Sequence, residues 1–237
     1  MKRAVPISVF ALLALVLAAC GGGGGGGGTS TPAVTVTVQP TDVTVGPGSV
    51  VTYLATVANG TLNSVTWSST GGSIVPTGAT TASFTAPTTA GTYVVTATST
   101  DDPTRSVSHS VTVATGATTA NVTGRVVRSA STVGIANVVV RFYTSTGAQV
   151  GQATTNATGN FSAVLPTTAT RFHVIDSAAL AGFYRQYSFN SQSYSILIPD
   201  CRAPLPALTV GSSVSLPTTI SLLPNSGPPP PPPSGCF

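Results

Sequence analysis

From Ala33 onward apolar and polar residues alternate with a period of two, and Gly, Pro, Asn and Asp interrupt the pattern every few residues. Such alternation turns every second side chain toward a buried face, so it predicts short β-strands rather than helices. In the first half it gives strands Ala33–Val38, Asp42–Val45, Ser49–Val57, Ser64–Ser69, Ser73–Val75, Thr80–Ala86, Gly91–Ser99 and Ser106–Ala114. Asn59-Gly60, Gly71-Gly72 and Asp101-Asp102-Pro103 mark turns between them. In the second half it gives Asn121–Arg128, Val138–Tyr143, Gln149–Thr155 and a last strand Val214–Leu223, with Pro217 marking an edge or bulge. With 237 residues the chain has room for one or two domains. The expected fold class is all-β: two tandem β-sandwiches, 33–115 and 119–224, joined by the small-residue segment Thr115–Thr119. A Pro-rich tail, 225–237, follows.

Composition removes much chemistry. Charged residues make up 6% of the chain, against about 25% in an ordinary soluble protein. There is no Glu, and the single Lys is Lys2. A zincin helix, an EF-hand loop and a Walker A loop each need a residue this chain lacks where the motif requires it. The net charge of +4 falls to +2 without Lys2 and Arg3, four less two. That is too weak for the electrostatic footprint of a nucleic-acid binder. No cofactor and no metal site is expected.

Lys2 and Arg3 precede an apolar run, Ile7 to Ala19, too short to span a bilayer. It ends in Leu17-Ala18-Ala19-Cys20, which resembles the lipobox of bacterial lipoproteins. The resemblance implies that 1–19 is a lipoprotein signal peptide. It implies cleavage before Cys20 and attachment of lipid to Cys20, so that membrane lipid is the first partner. Two or three acyl chains anchor a protein stably where one does not. Gly21 stands where an Asp would resemble an inner-membrane retention signal. The expected location is the cell envelope, in the outer membrane of a diderm cell. Gly21 to Gly28 are eight consecutive glycines, and with the rest of 20–32 they read as a flexible tether.

In the first sandwich the inward positions are Val51, Tyr53, Ala55 and Val57, then Val65 and Trp67, then Tyr93, Val95 and Ala97. Trp67 and Gly91-Thr92-Tyr93 resemble the strand-C Trp and the tyrosine corner of bacterial immunoglobulin-like domains. Ala55 and Val95 stand at that family's disulfide positions, so this copy lacks the bridge. His109 falls in the inward register of the last strand and reads as a hydrogen-bonded or rim histidine. Asp101 and Asp102 read as turn residues, with a Ca²⁺ site as the competing possibility.

The second half carries Val122-Thr123-Gly124-Arg125-Val126, then Gly134 to Val140, then Thr155 to Phe161, then Leu165-Pro166. This resembles the carboxypeptidase regulatory-like family, a transthyretin-like β-sandwich that implies no peptidase activity. Gly159 would supply a positive φ at a tight turn, returning Phe161 to the core. Beyond residue 166 the likeness fades. Asp176 is expected to cap one helical turn at Ser177 to Ala181. Phe183, Tyr184, Tyr187, Phe189 and Tyr194 then cluster with Arg185, Gln186, Asn190 and Gln192. The aromatics either fill the core or form a sugar-binding face, for which Tyr184, Arg185, Gln186 and Tyr194 are the candidate ligand-binding residues. The second half has six Arg against two Asp, a surplus that reads as solvation more readily than as a polymer-binding patch.

Cys201 and Cys236 remain after Cys20. An exported compartment is oxidising, so they form the candidate disulfide, within the chain or between chains. Pro228 to Pro233 reads as a stiff polyproline II spacer or as a ligand for a partner's groove. His109 and His173 sit in no nucleophile motif, so no catalytic residue is assigned. The functional expectation is a non-enzymatic, lipid-anchored envelope protein whose sandwiches serve adhesion, with a glycan or envelope protein as ligand. The alternative is a periplasmic structural accessory that spaces or recruits an envelope assembly.

Overall fold

The structure, a computed structural model, describes residues 32–236. The lipobox, Cys20 and the glycine run lie outside the described residues.

Eight strands build the first sandwich: β1 (Thr35–Gln39), β2 (Val43–Val45), β3 (Val50–Ala58), β4 (Val65–Ser69), β5 (Ser73–Gly78), β6 (Thr81–Thr85), β7 (Gly91–Ser99) and β8 (Ser106–Val113). One sheet runs β1-β3-β6-β5 and the other β2-β8-β7-β4. β1 is antiparallel to β3, whereas β2 runs parallel to β8. Pro40 stands between β1 and β2 and has no N–H to donate, so the ladder ends there and the chain crosses to the opposite sheet. With β1 and β2 taken as one split strand, these are the two sheets of the immunoglobulin arrangement. Val51, Tyr53, Phe84, Val95, Ala97 and Val111 fill the core at 2% exposure or less. Trp67 is only half-buried and packs against this core from β4. Tyr93 Oη donates to the carbonyl of Thr89 at 3.0 Å, the corner bond its position predicts.

The second sandwich comprises β9 (Thr119–Arg128), β10 (Val139–Thr144), β11 (Gln149–Thr154), β12 (Asn160–Pro166), β13 (Ala169–Ile175), β14 (Phe183–Phe189), β15 (Gln192–Ser195), β16 (Ala203–Pro204), β17 (Ser213–Ser215) and β18 (Ile220–Pro224). One sheet is β12-β9-β18-β14-β15, with β17 also beside β9; the other is β11-β10-β13-β16. Val122, Val126, Val140, Phe142, Phe161, Phe172 and Val174 meet between them, each fully buried.

Several expectations are corrected here. The expected last strand is two short strands, β17 and β18. Pro217 falls in the gap, and both pieces run parallel to β9. Asp176 caps nothing: the single 3-10 turn Ala178–Leu180 is preceded by Ser177, whose side chain makes no cap bond. Asp176 instead pairs with Arg185 Nε at 2.8 Å.

Gly159 has φ +80° at the turn into β12, in the left-handed region that favours glycine. A Cβ on it would overlap the backbone of Val126 and Gly134, and one on Gly134 would overlap Thr158. The two motif glycines therefore let two loops touch backbone to backbone at the entrance to β12.

Candidate functional site

The junction of the sandwiches is organised by Asn121, an amide near the start of β9 that is 2% exposed. Its Oδ1 accepts the backbone amide of Thr52 at 2.9 Å and the hydroxyl of Ser213 at 3.0 Å. Its Nδ2 donates to Ser162 Oγ at 2.8 Å and to the carbonyl of Ala163 at 3.2 Å. All four hydrogen-bonding positions of the amide are thus used. Around it the Val50 amide donates to Gly211, the Thr154 amide to Gln39 Oε1, and the Thr119 hydroxyl to Thr44. Val164 of β12 packs into the first core. Thr115–Thr119 is therefore no free joint, since β9 begins within it and is bonded across.

Two clefts flank this seam. One of about 470 Å³ is bordered by Gln39, Asp42, Gln152, Thr154 and Ser162. The other, of about 310 Å³, is bordered by Thr52, Arg125, Asn160, Ser215 and Thr218. Both offer amides and hydroxyls more than rings.

The sequence-predicted ligand face is not an open face. Tyr194 is 1% exposed and stacks on Tyr187 at 5.2 Å between ring centroids, inside the core. Tyr187, Phe189 and Phe172 extend the same aromatic layer. Arg185 is taken by Asp176 and by the carbonyls of Leu180 and Phe183. Tyr184 and Gln186 do lie on the outer face, yet both donate to the chain's own tail, Tyr184 to Gly227 and Gln186 to Pro231. The reason lies in strand parity. Residues of β14 alternate between core and outer face, and β15 places Tyr194 opposite Tyr187, on the core side.

Cys201 and Cys236 are joined in a disulfide within the chain. The Ser195 amide points at both sulfurs. Three arginines of the second sandwich have partners within it besides Arg185. Arg125 donates to Thr158 and Thr132, Arg202 lies 4.0 Å over the Tyr143 ring, and Arg128 sits over Phe183.

His173 is 3% exposed, with Nδ1 3.0 Å from the carbonyl of Cys201 and Nε2 3.2 Å from that of Ile196. Burial lowers its pKa below the ordinary value, outweighing the two carbonyls, and the nearby Arg202 acts in the same direction. His109 has a neighbour its sequence context does not reveal: Asp42 Oδ1 lies 3.5 Å from its Nδ1. Among the described residues neither imidazole is hydrogen-bonded to a serine hydroxyl. Asp101 accepts the amides of Thr61, Leu62 and Asn63, and Asp102 accepts Thr104 and pairs with Arg105. These bonds hold both carboxyls below the usual carboxylate range, as turn residues. No cluster of three or more His, Cys, Asp or Glu suited to a metal occurs among the described residues.

Asn121 is the junction residue that sequence reasoning missed. The available signal was an amide inside a strand, where Asn is depleted.

No family model matches the chain, and no curated protein does. Solved structures similar to it include a modular three-domain backbone pilin of Streptococcus pyogenes, 13% identical, covering 81% of this chain and 70% of that one at a TM-score of 0.32. The adhesin InvE of Yersinia pseudotuberculosis is 13% identical, covering 72% and 70% at 0.27. The major pilin BcpA of Bacillus cereus is 10% identical, covering 80% and 70% at 0.29. At these overlaps the likeness carries no functional conclusion.

Proposed function

We propose that this chain is a lipid-anchored envelope protein that holds a stiff pair of β-sandwiches outward for adhesion, without catalysis. The observation that carries the reading is the seam around Asn121, a buried amide that takes the Thr52 amide of the first sandwich while it holds Ser213, Ser162 and Ala163 of the second. A pair locked this way acts as one body. The sequence behind it supplies a lipobox at Leu17-Ala18-Ala19-Cys20 and a glycine run read as a tether. The amides and hydroxyls of the flanking clefts suit a hydroxyl-rich ligand such as a glycan. For the second sandwich the carboxypeptidase regulatory-like reading is retained as a binding module, supported by Gly134 and Gly159 meeting at the turn before Phe161. The accessory alternative relied on the polyproline tail as a contact, and that tail is engaged by its own chain.

Detergent phase partitioning of the full-length protein expressed in a bacterial host tests the anchor. The wild type should enter the detergent phase and Cys20→Ala the aqueous phase. Equal partitioning of the two overturns the anchored reading.

A further inference from the structure

The C-terminal tail does not trail from the second sandwich. It crosses the outer face of the β18-β14-β15 sheet from Asn225, whose amide donates to Gly182 at 3.1 Å, to the disulfide at Cys236. Along the way Tyr184 Oη donates to the Gly227 carbonyl and Gln186 Nε2 to the Pro231 carbonyl, the latter at 3.1 Å. Further on, Ser193 and Ser234 exchange amide-to-hydroxyl bonds at 3.1 Å each, and the Gly235 amide donates to Ser193 at 2.8 Å.

Within the proline run the two half-buried residues are three apart. Pro230 and Pro233 are half-buried, while Pro228, Pro229, Pro231 and Pro232 are exposed. Three residues per turn is the repeat of a polyproline II helix, so one edge of that helix rests on the sheet. Proline has no N–H, and its carbonyls must find donors elsewhere. Gln186 supplies one at Pro231, and Tyr184 on the same strand face meets the carbonyl of Gly227 just before the run. This is the chemistry by which proline-rich peptides are recognised: a preformed helix, carbonyls met by side-chain donors, and rings laid in a groove. The fit leaves a cavity of about 140 Å³ between sheet and tail, bordered by Ser129, Gln186, Ser188, Leu223, Pro230 and Pro231.

From this we infer that the outer face of β18-β14-β15 is a binding site for a proline-rich polypeptide segment of a partner. In the latched chain residues 227–235 occupy it in cis, and the Cys201–Cys236 disulfide keeps them there. A dithiol reductant opens it. Two electrons and two protons convert the disulfide to two thiols, and the reductant leaves as its own disulfide. The tail end is then released from the Ser193 edge, and a segment with carbonyls at the same spacing takes its place. The inference does not depend on the anchor or on what the seam clefts bind.

The test uses the full-length chain carrying Cys236→Ser with residues 228–233 replaced by alternating Gly and Ser, which empties the face. A fluorescent peptide of residues 226–235 is titrated and followed by anisotropy, with a thermal melt to verify folding. Binding in the range of about 10–100 µM is expected, and none by the oxidised wild type. Tyr184→Phe together with Gln186→Ala should weaken binding about tenfold, as should Ala at Pro230 and Pro233 of the peptide. If the six-residue replacement unfolds the chain, Cys236→Ser with Pro230→Ala and Pro233→Ala takes its place. No binding by a folded, opened chain at about 1 mM peptide overturns the inference. Equal binding of the Ala-substituted peptide overturns it as well.

Discussion

The backbone amide of Thr52, in the first sandwich, donates to the side chain of Asn121, in the second, at 2.9 Å. The bond spans 69 residues of sequence and ends on an amide whose other positions are also satisfied. Asn121→Ala removes both acceptor and donors and leaves Ser162 Oγ and the Ala163 carbonyl without their partner. A loss of about 2–4 kcal/mol is expected, read by urea denaturation. Small-angle scattering should also show the two sandwiches changing their mutual orientation more freely. A stability change below about 0.5 kcal/mol would place the coupling elsewhere in the seam.

Tyr194 distinguishes a core role from a ligand-facing one. Stacked on Tyr187 and 1% exposed, it should cost about 3–5 kcal/mol on Tyr194→Ala, the range for a buried aromatic truncated to Ala. Tyr194→Phe keeps the ring and loses only the bond to Gln192, a cost of about 1 kcal/mol. Thermal melts of the two variants separate these roles. A stable Tyr194→Ala protein with lost glycan capture would restore the ligand-facing role.

His173 makes stability depend on pH. Its folded pKa lies below the ordinary value of 6.5, so the unfolded chain binds the proton first as pH falls. The neutral ring's contribution is complete above pH 6.5 and is lost as pH drops toward the folded pKa. The groups facing the ring are the carbonyls of Ile196 and Cys201, the aromatic ring of Tyr187 and the guanidinium of Arg202. Denaturation midpoints should fall between pH 7 and 5 in the wild type and less steeply in His173→Asn. Parallel slopes would contradict this. Asp101 and Asp102 act lower on the scale, their contribution being lost as pH falls through and below 3.8.

The Cys201–Cys236 bridge closes a loop with a sequence separation of 35. In the chain-entropy account it contributes about 3–4 kcal/mol. Thiol labelling of the denatured, unreduced protein should find neither cysteine free, and Cys201→Ser should lower the denaturation midpoint. Two labelled thiols, or a covalent dimer on non-reducing gels, would contradict the intramolecular bond.

Fold class was legible because alternation is a local signal: Val51, Tyr53, Ala55 and Val57 announce a strand face without reference to any other segment. The Trp67 and Tyr93 pair was legible for the same reason, since the Tyr93 corner bond closes within four residues. What failed was non-local. No strand was legible at β13, where Phe172 and Val174 fill the core and His173 lies against the carbonyls of Ile196 and Cys201. Asp176 went to Arg185 rather than to a helix end, and Tyr184 and Gln186 faced a tail some 45 residues away, the separation of Gln186 from Pro231. A side chain's partner across such distances follows from packing, which periodicity does not encode. Asn121 was visible only as a residue poorly suited to its strand.

Surface display of these sandwiches by an anchored chain is open to direct test. Protease shaving of intact cells expressing the wild type, with Cys20→Ala as the control, tests it most directly. The wild-type sandwiches should be cut from whole cells, and Cys20→Ala should leave none attached to cut. Protection of the wild type until the envelope is opened would contradict surface display and return the periplasmic accessory role to first place.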